Sequence, residues 1–220
     1  MILDFLNQSK RAVNGACWLL SSMPATYLLL QALNNNLTNN PFAYLVGYTG
    51  HWAIAFFAIS YAVSPTRRCL SQLAKALKLN QGRRLSDWNF LFYNRRMLGL
   101  CSFYYASLHF FIYLNYEIDF DFREFYLEIT ERTFLSFGLL GWCLLFVLAV
   151  TSPGFVQKSI KRFWKTIHRL VHLAAVLLLA HIIYQAKFIA WSEWLYIALL
   201  ISFAVYRGGY YVAHRRSNDD

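Results

Sequence analysis

Six histidines occur in this chain of 220 residues, and five of them (His51, His109, His168, His172 and His181) fall inside long apolar runs. Ionisable side chains are costly in hydrocarbon, so those found there are functional candidates by default. A neutral imidazole is an axial ligand for haem iron, and two of them on facing helices can hold a haem between them. The competing chemistry for the same residues is hydrogen bonding between helices, or a histidine-lined path for protons or metal ions. His214 stands beside Arg215 and Arg216 and reads as a surface residue. Cys17, Cys69, Cys101 and Cys143 are dispersed, with no Cys-x-x-Cys, no Gly-x-Gly-x-x-Gly and no phosphate loop. These residues therefore hold no nicotinamide-binding module, and any electrons must arrive from another molecule.

The elements that carry the histidines follow from composition. Hydrophobic residues make up 58% of the chain and charged residues 15%, with mean hydropathy +0.34. That exceeds what a soluble domain of this size can bury. The net charge is nevertheless +10. An apolar excess with concentrated basic charge points to a membrane protein and argues against nucleic-acid binding. Six runs are long enough to span: about 12–33, 43–64, 97–115, 133–151, 166–186 and 192–213. The expected fold is all-α, a polytopic bundle of six transmembrane helices forming one domain over 1–220. Lys10 and Arg11 precede the first run as they would a signal peptide. The run is too long for one, and no small-residue cleavage site ends it, so it reads as a retained span.

Six spans divide the charges unevenly. One side, with both termini and the second and fourth loops, carries 18 basic residues against Asp4, Asp87, Asp219 and Asp220, a net +14. The other holds Arg123, Arg132 and Lys187 against seven acids, a net −4. By the positive-inside rule the N and C termini are cytoplasmic. In the basic loop 66–96, Leu70, Leu73, Leu77 and Leu79 among Lys75 and Lys78 suit a short helix lying on membrane lipids, with docking of an acidic partner as the alternative. The outer loop 116–131 alternates acids with aromatics, as an aromatic belt or a docking face does.

Depth sorts the histidines. At ~1.5 Å per residue, His109 lies about 20 Å beyond Arg96, and His181 and His51 about 24 Å from Lys165 and Arg67. His168 and His172 lie only about 5–10 Å above the cytoplasmic marker. Five histidines in two layers favour haem over isolated structural roles. The thirteen residues between His168 and His181 leave those side chains ~140° apart on a straight helix. Either they face different sides or the helix bends.

Arg95-Arg96-Met97-Leu98-Gly99-Leu100 with Ala106-Ser107-Leu108-His109 resembles the third span of the MsrQ (YedZ) family. These are the haem-binding membrane subunits of the bacterial protein-methionine-sulfoxide reductase system. Thr49 to Ala53, Ser64 to Arg68, Gly138 to Trp142, Ala149 to Ser152 and Trp164 to Val171 match in order, with His181 thirteen residues after His168. The resemblance covers about 42–190 and extends to the wider ferric-reductase and NADPH-oxidase transmembrane group. It implies a haem b protein of the bacterial inner membrane, with one or two haems, an electron-transfer subunit of an oxidoreductase. Electrons would come from quinol or a cytosolic flavin reductase, FMN or another flavin being a possible further cofactor. They would pass to a periplasmic molybdopterin methionine sulfoxide reductase subunit.

The family's haem histidines carry over onto His109, His168 and His181, and depth makes His109 and His181 the outer pair. His168 then serves an inner haem or gates entry from the cytoplasm. His51 and His172 depart from the family pattern. His51 is a competing outer ligand or a hydrogen-bonding residue near the surface. His172 is an alternative ligand to His168 or a propionate partner. Where the wider group has a second inner histidine this chain has Arg95 or Arg96, which cannot ligate iron but can hold a propionate, a flavin phosphate or a quinone oxygen. The alternatives are a stand-alone ferric or quinone reductase and a haem-free proton or metal-ion transporter.

Overall fold

The computed structural model describes residues 2–34, 36–185 and 191–219, with backbone alone for 2, 4, 6, 10, 192 and 211–219. Lys187 and the side chains of His214, Arg215 and Arg216 lie outside the described residues. A short α1 (Ile2–Gln8) leads into α2 (Lys10–Leu33) and α3 (Pro41–Ala76). A 3-10 turn (Leu85–Trp88) precedes α4 (Asn89–Tyr116), followed by α5 (Phe122–Glu131) and α6 (Thr133–Val150). The chain then runs through α7 (Gly154–Ile160), α8 (Arg162–His168), α9 (Leu170–Gln185) and α10 (Trp191–Asp219). Among the described residues there is no strand, and the protein is an all-α membrane bundle.

Five segments are long and apolar enough to cross a bilayer: Arg11–Leu33, Pro41–Ala76, Leu85–Tyr116, Thr133–Val150 and Arg162–Gln185. The sixth expected span, α10, is helical over 29 residues but is not among them. Glu193, Arg207 and the tyrosines at 196, 206 and 210 dilute its apolar run.

Two antiparallel pairs make the frame, α3 with α4 and α6 with α9. Ile54, Phe57, Ala58 and Tyr61 of α3 pack with Leu145, Ala174, Ala175 and Leu200 to join α6, α9 and α10 to the first pair. Ala174 and Ala175 are almost wholly buried; small residues let helix backbones approach where lipid provides no hydrophobic drive. Trp142 Nε1 donates to Ser107 Oγ at 3.0 Å and ties α6 to α4. Pro24 interrupts α2, and a hydroxyl from α4 repairs the opening. Ala25 N donates to Tyr105 Oη at 3.0 Å, and Tyr105 Oη donates to Ser21 O at 2.9 Å. A side chain inserted into the backbone ladder in this way is a recognised partner of a proline kink.

Two loop expectations change. Leu70 and Leu73 belong to no separate interfacial helix: α3 continues unbroken through Pro65 to Ala76. The turn that follows is folded back onto it, with Ser71 Oγ donating to Arg83 O and Arg67 Nη2 to Leu85 O and Asn89 Oδ1. These tertiary bonds tie the basic segment to the end of α3. The outer loop contains a formed helix, α5, whose first turn is capped by Asp121 Oδ1 accepting from Arg123 N and Glu124 N. Asp121 followed three residues later by Glu124 is a helix-start signal that the alternating acids and aromatics obscured.

Candidate functional site

The α3/α4 seam carries a polar bond every seven residues on each helix. Ser60 Oγ donates to Arg95 O at 3.1 Å, Ser102 Oγ to Ala53 O at 2.9 Å, and His109 Nδ1 to Val46 O at 2.9 Å. A seven-residue repeat keeps one face of each helix turned to its partner when they cross at a shallow angle. His109 is therefore the outermost rung of an antiparallel ladder. In the second pair, His181 Nδ1 bonds Phe134 O of α6 at 2.8 Å.

A carbonyl oxygen can only accept, so Nδ1 carries the proton in both rings and each Nε2 is left with its lone pair. Glycine makes both approaches possible. Gly50 lies four residues after Val46, and a Cβ there would stand 3.0 Å from His109 Nδ1. Gly138 lies four residues after Phe134, and its Cβ would stand 2.7 Å from His181 Nδ1.

The two rings meet. His109 and His181 have centroids 6.2 Å apart and planes at 88°. That spacing suits two imidazoles on one metal, with metal–nitrogen bonds of ~2.0–2.1 Å and a ring radius on either side. Both residues are half-buried. Among the described residues no cluster of three or more His, Cys, Asp or Glu gathers to hold a metal ion. Two protein donors alone suit a metal whose other ligands come from a macrocycle. The pair fits the axial ligands of a haem.

The remaining candidates separate. His51 stays out of the outer pair: it is exposed, and its Nε2 lies 2.9 Å from Tyr196 Oη on α10. His168 ends α8, stacks on Trp164 at 4.1 Å between centroids, and bonds Trp164 O at 3.2 Å. Arg169 separates α8 from α9, its N bonding Thr166 O at 3.1 Å, and His172 N bonds Arg169 O at 3.0 Å. His168 and His181 thus sit on different helical segments. His172 Nδ1 lies 2.9 Å from Tyr61 Oη, so Tyr61 and His172 form a dyad between α3 and α9.

Two guanidinium groups border this inner cluster. Arg95 Nη1 donates to Ser64 Oγ at 3.4 Å and acts electrostatically on both His168 and His172. Arg207 of α10 donates to Tyr61 O at 2.6 Å and covers the Tyr61 ring at 4.1 Å. Its Nε is buried with no partner among the described residues. Arg96 is exposed and belongs to another face. Tyr61 and Arg207 are the residues sequence reading missed. In the sequence Arg207 counts only as one of the 18 basic residues of the cytoplasmic side, and a tyrosine in an aromatic-rich helix carries no signal of its own.

A family model for the ferric reductase like transmembrane component matches residues 49–179, which include His51, His109, His168 and His172. Curated relatives carry the name protein-methionine-sulfoxide reductase heme-binding subunit MsrQ. That of Herminiimonas arsenicoxydans is 34% identical over 160 residues, 72% of this chain and 66% of the relative. That of Ralstonia nicotianae is 32% identical over 79% of this chain and 73% of its own length. That of Caulobacter vibrioides is 31% identical over 83% and 85%.

Proposed function

The chain belongs to the MsrQ family of ferric reductase-like transmembrane proteins, multi-pass proteins of the bacterial inner membrane, and on that premise we propose that it holds one b-type haem between His109 and His181 and carries electrons outward to a periplasmic methionine sulfoxide reductase subunit. The observation that carries this reading is the facing pair itself, 6.2 Å apart, with both Nδ1 protons committed to backbone carbonyls. When bound, haem supplies a one-electron carrier whose potential depends on its ligands and their hydrogen bonds.

The residues of the chain do the rest. Val46 O and Phe134 O orient the imidazoles and raise their basicity through Nδ1, as outer-shell acceptors do for metal-bound histidine. On the inner side, Tyr61 and His172 can exchange a proton across their 2.9 Å bond, and Arg95 and Arg207 favour an anionic group beside them. That cluster is where a quinol or a cytosolic flavin reductase delivers electrons, and where a flavin phosphate would find its counter-charge. His168, with Nδ1 on Trp164 O, borders the same entry. In this topology α10 is the sixth crossing and both termini are cytoplasmic, in keeping with the +14 and −4 division of charge. The outer partner is the molybdopterin subunit, facing the side where α5 lies.

A pyridine haemochrome assay normalised to protein tests the reading. The expected result is one haem b per chain, lost in His109→Ala and in His181→Ala and kept in His51→Ala. A colourless wild-type preparation, or full haem content in both alanine variants, sinks it.

A further inference from the structure

Between the inner ends of α3 and α10 lies a cavity of about 240 Å³ lined by Arg68, Ser71, Gln72, Lys75, Leu85 and Tyr210. Residues 68, 71, 72 and 75 are spaced as one face of α3. The helix has 36 residues, about 54 Å at ~1.5 Å each, against a hydrocarbon core of ~30 Å. Its end beyond Pro65 therefore stands among the headgroups and past them. The cavity opens at that level.

Its chemistry is that of an anion site. Arg68 is held in place: its guanidinium carbon lies 3.7 Å above the Tyr210 ring centre. Ser71 gives its hydroxyl proton to Arg83 O at 2.6 Å, and Arg68, Gln72 and Lys75 place N–H donors on the cavity wall. Deeper in the bundle Arg207 interacts electrostatically with both Arg68 and Arg95. Arg207 Nε is buried there with no partner among the described residues. No carboxylate among those residues answers them. Asp87, the one acid in the 66–96 loop, accepts from Gly82 N and Arg84 N, and the ion pairs of Arg132 with Glu117 and Glu128 lie on the outer loop. Like charges collected in a low-dielectric setting require a counter-charge.

We propose that this cavity binds one phosphate-bearing ligand, the headgroup of an anionic phospholipid of the inner leaflet. Basic pockets between transmembrane helices on the cytoplasmic side are suited to such headgroups. Arg68 and Lys75 supply the charge, Gln72 a neutral hydrogen bond, and Leu85 with the Tyr210 ring the apolar wall. The site is independent of haem.

Native mass spectrometry of the full chain in neutral detergent, titrated with phosphatidylglycerol, phosphatidylcholine or inorganic phosphate, tests it. The wild type retains one phosphatidylglycerol in preference to phosphatidylcholine. Arg68→Gln with Lys75→Gln lowers that preference by at least about tenfold, at roughly fivefold per cation removed. Gln72→Glu, which keeps both cations and adds a carboxylate, also lowers it, with elution volume and helical content of the wild type. Displacement of phosphatidylglycerol by inorganic phosphate supports the phosphate site and assigns it to a soluble source. Equal retention of the two lipids by the wild type, or an unchanged preference in both variants, overturns the proposal.

Discussion

The His181 imidazole occupies the space that a side chain at position 138 would need: a Cβ on Gly138 would stand 2.7 Å from Nδ1 and 2.8 Å from Cε1 of that ring. The ring uses this space to reach Phe134 O, one turn earlier on the same helix. Gly50 and Val46 serve His109 in the same way on α3: a Cβ on Gly50 would stand 3.0 Å from Nδ1 and 3.2 Å from Cε1 of that ring, and Val46 O accepts at 2.9 Å. Both proposed ligands are thus keyed by a glycine and by the carbonyl four residues before it.

Gly138→Ala is expected to push the His181 ring off its carbonyl and lower haem retention by about ten- to a hundredfold, the usual cost of losing an outer-shell partner. Gly50→Ala should do less, because its clearance is larger. Haem content and the low-spin Soret and electron paramagnetic resonance signals of purified variants measure this. Wild-type spectra in Gly138→Ala would refute the keyed arrangement.

Tyr61→Phe removes the hydroxyl that meets His172 Nδ1 at 2.9 Å. The outer histidines do not contact it, so haem per chain should stay at the wild-type value. The rate of haem reduction by a soluble quinol, followed by stopped-flow absorbance, should fall by roughly a hundredfold or more. An unchanged rate would remove the dyad from the path.

Tyr105→Phe leaves Ala25 N and Ser21 O without the hydroxyl that bridges them beside Pro24. Each buried group left unpaired costs about 1–3 kcal/mol, so the thermal midpoint in detergent should drop by several degrees with haem content intact below it.

Asp121→Ala removes the cap of α5, worth about 1 kcal/mol. Faster amide exchange over residues 122–126 than in the wild type, with none over α6, is the expected readout. Asp121→Ser should restore much of the protection.

Much of the scaffold was legible before any coordinates. Runs of about twenty apolar residues must be helices in lipid, because only a helix satisfies its own backbone there. The distribution of Lys and Arg is the ground for the proposed sidedness, because charge resists transfer. Depth along a span is simple arithmetic, and it placed His109 and His181 in one layer. The partner choice was beyond it: His51 shares that layer too, and only the packing of α10 takes His51 to Tyr196 while α4 and α9 bring the other two together.

Three features belong to the tertiary structure alone. At Arg169, where the N–H turns to Thr166 O, the helix divides into α8 and α9 and sets His168 and His181 on separate segments, a break that helical periodicity does not signal. Arg95 rather than its neighbour Arg96 enters the inner cluster, because α4 turns the seam of residues 95, 102 and 109 toward α3. Gly50 and Gly138 acquire meaning only when a histidine from another helix fills the space where a Cβ would be. Periodicity and hydropathy act along one helix at a time, so the sequence by itself determined the long apolar helices and the order of the histidines along them. Which faces meet is a matter of packing between helices far apart in the chain, and only the tertiary structure decided it.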